Sequence, residues 1–118
     1  MENHKLIMPG HLNQFGYLFG GNLLKWVDEH AWISASLEYP GCNFVTIGMD
    51  RVEFKKSVRE GTILKFIAEQ TKIGKTSVRY MVEVYRGNRE TVPKNVVIST
   101  HVTFVNIDSE GKKTQIIK

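Results

Sequence analysis

Residues 22–38 constrain this chain more than any other segment. They read as one long helix, about Asn22 to Glu38, stopped by Tyr39-Pro40-Gly41. Leu23, Leu24, Trp26, Val27, Ala31, Trp32, Ile33, Ala35 and Leu37 point in nearly every direction around it. A helix that is apolar all round is buried on most sides. One sheet covers only one side of such a helix. A second subunit is the simplest cover for the other, so the pattern predicts a dimer.

The rest of the chain supplies the sheet. Lys5 to Met8 reads as a short first strand, ended by Pro9-Gly10, and residues 11–21 as a loop with Gly16, Gly20 and Gly21 at its turns. Four long strands follow the helix, at Phe44 to Phe54, Thr62 to Thr71, Ser77 to Arg86 and about Val96 to Ile107. Gly61 and Gly74 mark turns, Arg86-Gly87-Asn88-Arg89 a loop and Asp108 to Lys113 a polar turn. Thr114 to Lys118 reads as a frayed tail or a short edge piece. In the third of these strands Val78, Tyr80, Val82 and Val84 line one face, while Arg79, Glu83 and Tyr85 line the other. Short connections imply antiparallel pairing. One helix on one antiparallel sheet is an α+β architecture.

Composition bounds the setting. A chain of 118 residues is the size of one domain, here spanning 1–118. At 42% hydrophobic it is neither disordered nor fibrous. No apolar run approaches the roughly 20 residues that span a bilayer, and the N-terminus does not read as a signal peptide. No membrane association is expected. Cys42 is the only cysteine, so a disulfide-free, reducing and cytoplasmic setting is expected. The net charge of +4 favours an anionic partner. Lysines and arginines are scattered, with only Lys55-Lys56 and Lys112-Lys113 adjacent. That scatter argues against nucleic acid and leaves a phosphorylated small molecule in view.

Two features carry chemistry. Asp28 interrupts an apolar stripe through Leu24, Ala31 and Ala35. A partly desolvated carboxylate becomes a better base. Its plainer reading is a side chain at a dimer seam or neutralised by a structural partner. Glu29 has Lys25 four residues before it and reads as solvated. The second feature is the approach Asn13-Gln14-Phe15-Gly16-Tyr17-Leu18-Phe19-Gly20-Gly21-Asn22. Two glycines at a helix entrance expose unpaired backbone N–H groups at a positive dipole end. Such a place holds an anion or a developing oxyanion. Its plainer reading is a tight turn that solves a packing problem. Gly21 and Asp28 are separated by about 10 Å of helix rise, so a thioester carbonyl at the helix entrance is expected to lie within reach of the carboxylate, directly or through one water.

Other chemistries find no support. His4, His11, His30 and His101 show no metal-like spacing, and no metal site or cofactor is expected. Gly74-Lys75-Thr76 lacks the upstream glycine of a phosphate loop, and no Gly-x-Ser-x-Gly elbow is present. Cys42 reads as a small core residue rather than a nucleophile.

Here the residues resemble a known signature. Met8-Pro9, Asn13, Gly16-Tyr17-Leu18-Phe19-Gly20-Gly21, Leu24 and Trp26-Val27-Asp28-Glu29 look like the hotdog-fold acyl-CoA thioesterases, in particular the bacterial short-chain acyl-CoA hydrolases and the two-domain cytosolic enzymes of animals. The resemblance continues through Thr46, Arg51-Val52-Glu53-Phe54, Gly61, Gly74-Lys75-Thr76-Ser77 and Val102-Thr103-Phe104-Val105, nearly the whole chain. It implies a curved antiparallel five-stranded sheet wrapped around one long central helix. It implies edge-to-edge homodimers, with active sites between subunits, that assemble further as trimers of dimers. It implies that acyl-CoA is the substrate, with CoA no separate cofactor. It assigns Asp28 as general base or nucleophile and Asn13 as the loop asparagine supplied by the other subunit. Gly20 and Gly21 match the amides that polarise the thioester carbonyl, and Thr46 a hydroxyl near the reacting centre. Gly74, Lys75, Thr76 and Ser77 match a hairpin near the nucleotide of CoA, although Lys75 also reads simply as a turn residue. The chain departs from the signature at His11 and Leu12, where relatives carry Asp and Thr or Ala. Bulky Phe15, Trp26 and Trp32 suggest a restricted acyl pocket.

Three rival readings stand beside this one. A hotdog dehydratase needs a catalytic histidine, and neither His11 nor His30 sits in such a motif. A CoA-ester-binding module would bind without turnover. A small basic RNA-binding protein would show an exposed aromatic cluster on a sheet face, which the sequence lacks.

Overall fold

A computed structural model describes residues 1–87 and 95–118. Strand β1 (Glu2–Leu6) leads through a 3-10 turn at Pro9–His11 to helix α1 (Gly20–Glu38). Strands β2 (Phe44–Asp50), β3 (Ile63–Ile73), β4 (Ser77–Arg86) and β5 (Val96–Asn106) follow. They form one five-stranded sheet in the order β1-β3-β4-β5-β2, every neighbouring pair antiparallel. The α+β hotdog architecture expected from the sequence is the one observed.

One face of the sheet is the floor of the core. Val78, Tyr80, Val82 and Val84 of β4 and Ile98, Val102 and Phe104 of β5 are all at most 2% exposed. Alternation fixes which residues these are, because every second side chain points to the same face. Against them α1 buries Leu23, Val27, His30, Ala31, Ser34 and Ala35. Elsewhere on α1 cover among the described residues is partial: Leu24 and Trp26 pack half-buried against the core, while Trp32 is 44% exposed and Leu37 70%. The helix is therefore two-sided, as its sequence pattern demands.

Several boundaries differ from the sequence expectation. The first strand lies at Glu2–Leu6 rather than Lys5 to Met8. Its five residues are all exposed, so no burial pattern marked it, and Ile7 just beyond it carries the burial. α1 begins at Gly20, two residues early, so both glycines lie in its first turn. β2 stops at Asp50 instead of reaching Phe54. Arg51 takes a positive φ of 54° and breaks the ladder. The chain returns to β5 through the Phe54–Ile98 bridge and the Lys55 N–H to Val97 carbonyl bond. β3 runs on to Ile73 past an irregularity between Gln70 and Lys72. The tail is neither frayed nor a strand. The Ile116 N–H bonds the Lys75 carbonyl, and the Asn106 amide donates to the Gln115 carbonyl. In the loop expected at Arg86-Gly87-Asn88-Arg89, Asn88 and Arg89 lie outside the described residues.

His30 is the polar residue the apolar stripe concealed. It is buried against Phe66, and its Nε2 donates to the Met1 carbonyl at 3.1 Å. Burial lowers its pKa below the ordinary value, the carbonyl bond opposes this, and the N-terminal ammonium adds to the lowering. The unfolded chain therefore binds a proton that the folded chain refuses. His30 contributes full stability above about pH 6.5 and loses it as pH falls from there through the lowered folded value. Melting curves between pH 7.5 and 5 are expected to show a falling midpoint, with a shallower fall in His30→Gln. Equal slopes in both proteins would contradict this assignment.

Candidate active site

The carboxylate at the middle of α1 has one strand beside it. Asp28 is half-buried, on the flank of the helix rather than in its buried stripe. Its Oδ1 accepts a hydrogen bond from Thr46 Oγ1 at 2.7 Å. Thr46 pairs with Phe104, whose side chain is fully buried on the helix side, so Thr46 faces the helix too. Immediately afterwards the register shifts between Thr46 and Gly48, a bulge with Ile47 as the extra residue. Bulges re-aim side chains and bend a strand. One helical turn further on, Trp32 Nε1 donates to the Phe44 carbonyl at 3.0 Å and fixes the spacing of helix and strand.

The helix entrance is the second part. Phe19 stands at the N-cap with no side-chain capping bond. The Asn22 and Leu23 amides both turn back to the Phe19 carbonyl. The Gly20 and Gly21 N–H groups have no partner among the described residues and are the orphan donors of a first helical turn. Aromatic rings close over the glycines: a Cβ on Gly20 would lie 3.2 Å from Phe54 Cζ, and one on Gly21 2.8 Å from Phe19 Cε2. The loop before them is tied by its own side chains. Asn13 Oδ1 accepts the Phe15 and Tyr17 amides at 2.9 and 3.1 Å. His11, the residue that departs from the signature, accepts the Met8 amide on Nδ1, and its carbonyl takes the Asn22 side-chain amide.

Not every expected residue joins one place. Asp28 and Thr46 are brought together. Gly20 and Gly21 lie along the same helix, about 10 Å of rise away. The Asn13 carbonyl serves its own loop, and no bond within the described residues joins it to Asp28. The hairpin at Gly74, Lys75, Thr76 and Ser77 is held elsewhere. The Gly74 N–H meets the Ser77 carbonyl, and the Lys75 and Thr76 carbonyls accept the Ile116 and Asn106 amides. A 380 Å³ groove opens beside Gly20. Phe54, Lys55 and Lys56 line it, residues that strand patterning alone did not single out, whereas Phe15, Trp26 and Trp32 do not. No three histidines, cysteines or carboxylates cluster as a metal site among the described residues, and no helix there is long and apolar enough to cross a membrane.

Comparisons with known proteins agree with this fold. The sequence pattern of the thioesterase superfamily matches residues 15–93. An uncharacterised acyl-CoA thioester hydrolase of Zymomonas mobilis is 32% identical over 111 residues, 94% of this chain and 74% of that protein. A hexameric hotdog-fold thioesterase of Campylobacter jejuni superposes with a TM-score of 0.83 at 32% identity, over 98% of this chain and 88% of that one. The acyl-CoA hydrolase of Staphylococcus aureus, solved with butyryl-CoA and CoA, superposes at 0.84 with 28% identity, over 98% and 70%. Structures of that enzyme include variants in which an aspartate, a threonine and an asparagine are replaced by alanine.

The entrance glycines yield a test of packing. Gly21→Ala exchanges a poor helix former for the best one, a gain of up to ~1 kcal/mol, against displacement of the exposed Phe19 ring. Thermal melting is expected to show equal or higher stability. A clear loss would mean that the ring is locked in place.

Proposed function

The chain belongs to the thioesterase superfamily and is a thioester hydrolase, and we propose that it converts acyl-CoA to a free carboxylic acid and CoA with Asp28 as the reacting carboxylate. The observation that carries this reading is the Thr46 hydroxyl aimed at Asp28, on the helix whose entrance amides have no partner among the described residues. In the S. aureus hydrolase the replaced asparagine and aspartate are fifteen residues apart, the spacing of Asn13 and Asp28 here. The threonine replaced there stands one residue closer to its aspartate than Thr46 does to Asp28.

The proposed chemistry needs an acceptor for a proton and a donor for an oxyanion. Asp28 takes a proton from water as the water oxygen bonds to the thioester carbon, or attacks that carbon itself to form a mixed anhydride, which water then cleaves, releasing the acid and supplying the proton that the thiolate takes up. The Gly20 and Gly21 amides receive the negative charge that develops on the carbonyl oxygen. The C–S bond then breaks, the electron pair leaves with sulfur, and the proton passes to the thiolate. Thr46 holds one carboxylate oxygen and leaves the other for chemistry.

Two copies complete the site in this reading. The rise of about 10 Å along α1 is bridged here between chains, a departure from the expectation that one chain's entrance amides and its own Asp28 serve the same carbonyl. Strand β2 lies at the edge of the sheet, with Val45 and Ile47 exposed. Pairing two β2 edges extends the sheet across a dimer and brings Asn13 and the entrance amides of one copy toward Asp28 of the other. The open side of α1 gains cover in the same step. Three such dimers give the hexamer. The hairpin Gly74, Lys75, Thr76 and Ser77 then approaches the nucleotide end of CoA from a neighbouring copy.

The direct test is thiol release from acyl-CoAs of two to sixteen carbons and from aromatic esters. Asp28→Ala is expected to lose about 10²–10⁴-fold in kcat, and Thr46→Val roughly ten- to hundredfold, the loss of one hydrogen bond to a charged group. Turnover by Asp28→Ala at the wild-type rate would sink the assignment. CoA-ester binding by the wild type without turnover would make the chain a binding module.

A further inference from the structure

His11 has no part in the hydrolysis proposed above, yet four contacts meet on it. Its Nδ1 accepts the Met8 N–H at 2.9 Å. Its carbonyl accepts two donors: the N–H of Phe19, the cap of α1, at 3.0 Å, and the Asn22 side-chain amide at 3.1 Å. Its ring meets Trp26 edge to face, with ring centres 4.9 Å apart. His11 therefore fastens the start of the entrance loop to the helix into which the loop runs. Asn13 lies two residues beyond it, and Gly20 directly follows Phe19. The loop between is closed on itself by the Leu12–Leu18 bridge and the Asn13 N–H to Tyr17 carbonyl bond. A loop tied in this way shifts as a unit, and its seat on α1 is at His11.

Any residue at this position would keep the backbone contacts. The side-chain bond is particular to histidine. Nδ1 accepts an N–H only while it carries no proton, so the bond requires neutral imidazole with its proton on Nε2. Imidazolium is a donor at both nitrogens and would face the Met8 N–H donor to donor. No carboxylate bonds to or pairs with His11 among the described residues; there it is His101 that stands beside a carboxylate, that of Asp50 on the sheet. Lys5 of β1 lies over the Trp26 ring, 5.1 Å from its centre. His4 of β1 and Glu29 and His30 of α1 line the small hollow that Lys5 and Trp26 share.

We propose, resting on the reading of the function above, that His11 is a positioning residue. Its neutral imidazole seats the entrance loop on α1, and with the loop Asn13 and the Gly20 and Gly21 amides; protonation releases that seat. Imidazole is the side chain that ordinarily changes charge between pH 5 and 8. Turnover is thereby coupled to pH through the loop as well as through the reacting carboxylate. The effect falls on kcat rather than KM, because the amides act on charge that develops in the transition state.

Turnover of the acyl-CoA hydrolysed fastest, followed by thioester absorbance from pH 8 to pH 5 on the intact oligomer, tests this. Wild-type kcat is expected to fall roughly threefold to tenfold, the worth of one hydrogen bond, while KM holds. His11→Asn, whose Oδ1 takes the Met8 N–H at every pH, should keep the pH 8 kcat of the wild type and lose this fall. His11→Phe keeps a ring against Trp26 but has no acceptor, and it should be slow by the same factor at every pH. His30→Gln should fall as the wild type does, which separates this effect from the stability that His30 carries. Any fall due to a carboxylate is common to all four proteins, and circular dichroism checks that each variant folds. A fall in His11→Asn matching that of the wild type would overturn the proposal, as would wild-type turnover by His11→Phe. Slow turnover by His11→Asn at every pH would overturn it too and leave the ring contact as the role of His11. If no acyl-CoA is hydrolysed at all, the reading of the function fails, and NMR still decides the positioning. The Gly20 and Gly21 amide shifts should move with pH in the wild type and hold still in His11→Asn; equal movement in both would overturn the proposal.

Discussion

Everything in this structure follows from one helix that is apolar on two sides. The concave face of the sheet buries the stripe from Leu23 to Ala35, with Val82, Ile98 and Phe104 beneath it. Each large aliphatic or aromatic side chain buried in such a core contributes roughly 1.5–3 kcal/mol. Burying this stripe sets the rotation of α1, and that rotation puts Asp28 on the flank toward β2. Because Trp32 ties the same flank to the Phe44 carbonyl, the Asp28–Thr46 contact is held from both ends of one helical turn. The proposed reacting carboxylate is thus positioned by core packing, not by a flexible loop.

The same constraint accounts for the divided site of the proposed mechanism. A single sheet leaves Trp32 and Leu37 uncovered and leaves β2 with an unpaired edge. Exposed edges and exposed apolar faces both invite association. In the proposed mechanism, the geometry that leaves one side of the helix uncovered also leaves a single chain incomplete as an enzyme. Assembly and catalysis are one problem in this reading, and the loop around Asn13, tied up within its own chain, is free to present its outer side to a neighbour.

Much of this was legible in the residues. The β4 alternation identified Val78, Tyr80, Val82 and Val84 as the buried face correctly, since they differ sharply from Arg79 and Glu83, but Tyr85, grouped with those two, is itself buried, where the register shifts after Val84. The all-round apolar helix implied a two-sided burial that the structure bears out on one side and leaves open on the other. Asp28 and Thr46 were paired only through the family signature, because no periodicity reveals a contact between residues on different elements. The strand boundaries failed where backbone geometry decides: Arg51 gave no sign of its positive φ, and Glu2–Leu6 is held by ladder bonds to β3 that leave no burial pattern. His30 and Ser34 were hidden because the stripe was read for apolar residues alone. The groove beyond Phe54 was invisible for the same reason as the end of β2, since the lysines reach the helix entrance only through that break.

The central claim is that Asn13 and the entrance amides of one copy work with Asp28 of another. Mixing Asn13→Ala with Asp28→Ala, after unfolding and refolding the two together, tests it directly. If sites are shared between paired copies, random reassembly rebuilds one intact site in each mixed dimer, and about a quarter of the wild-type thioesterase activity should return. If each chain carries its own complete site, every site in the mixture holds one defect, activity stays at the level of the two separate variants, and the account is wrong.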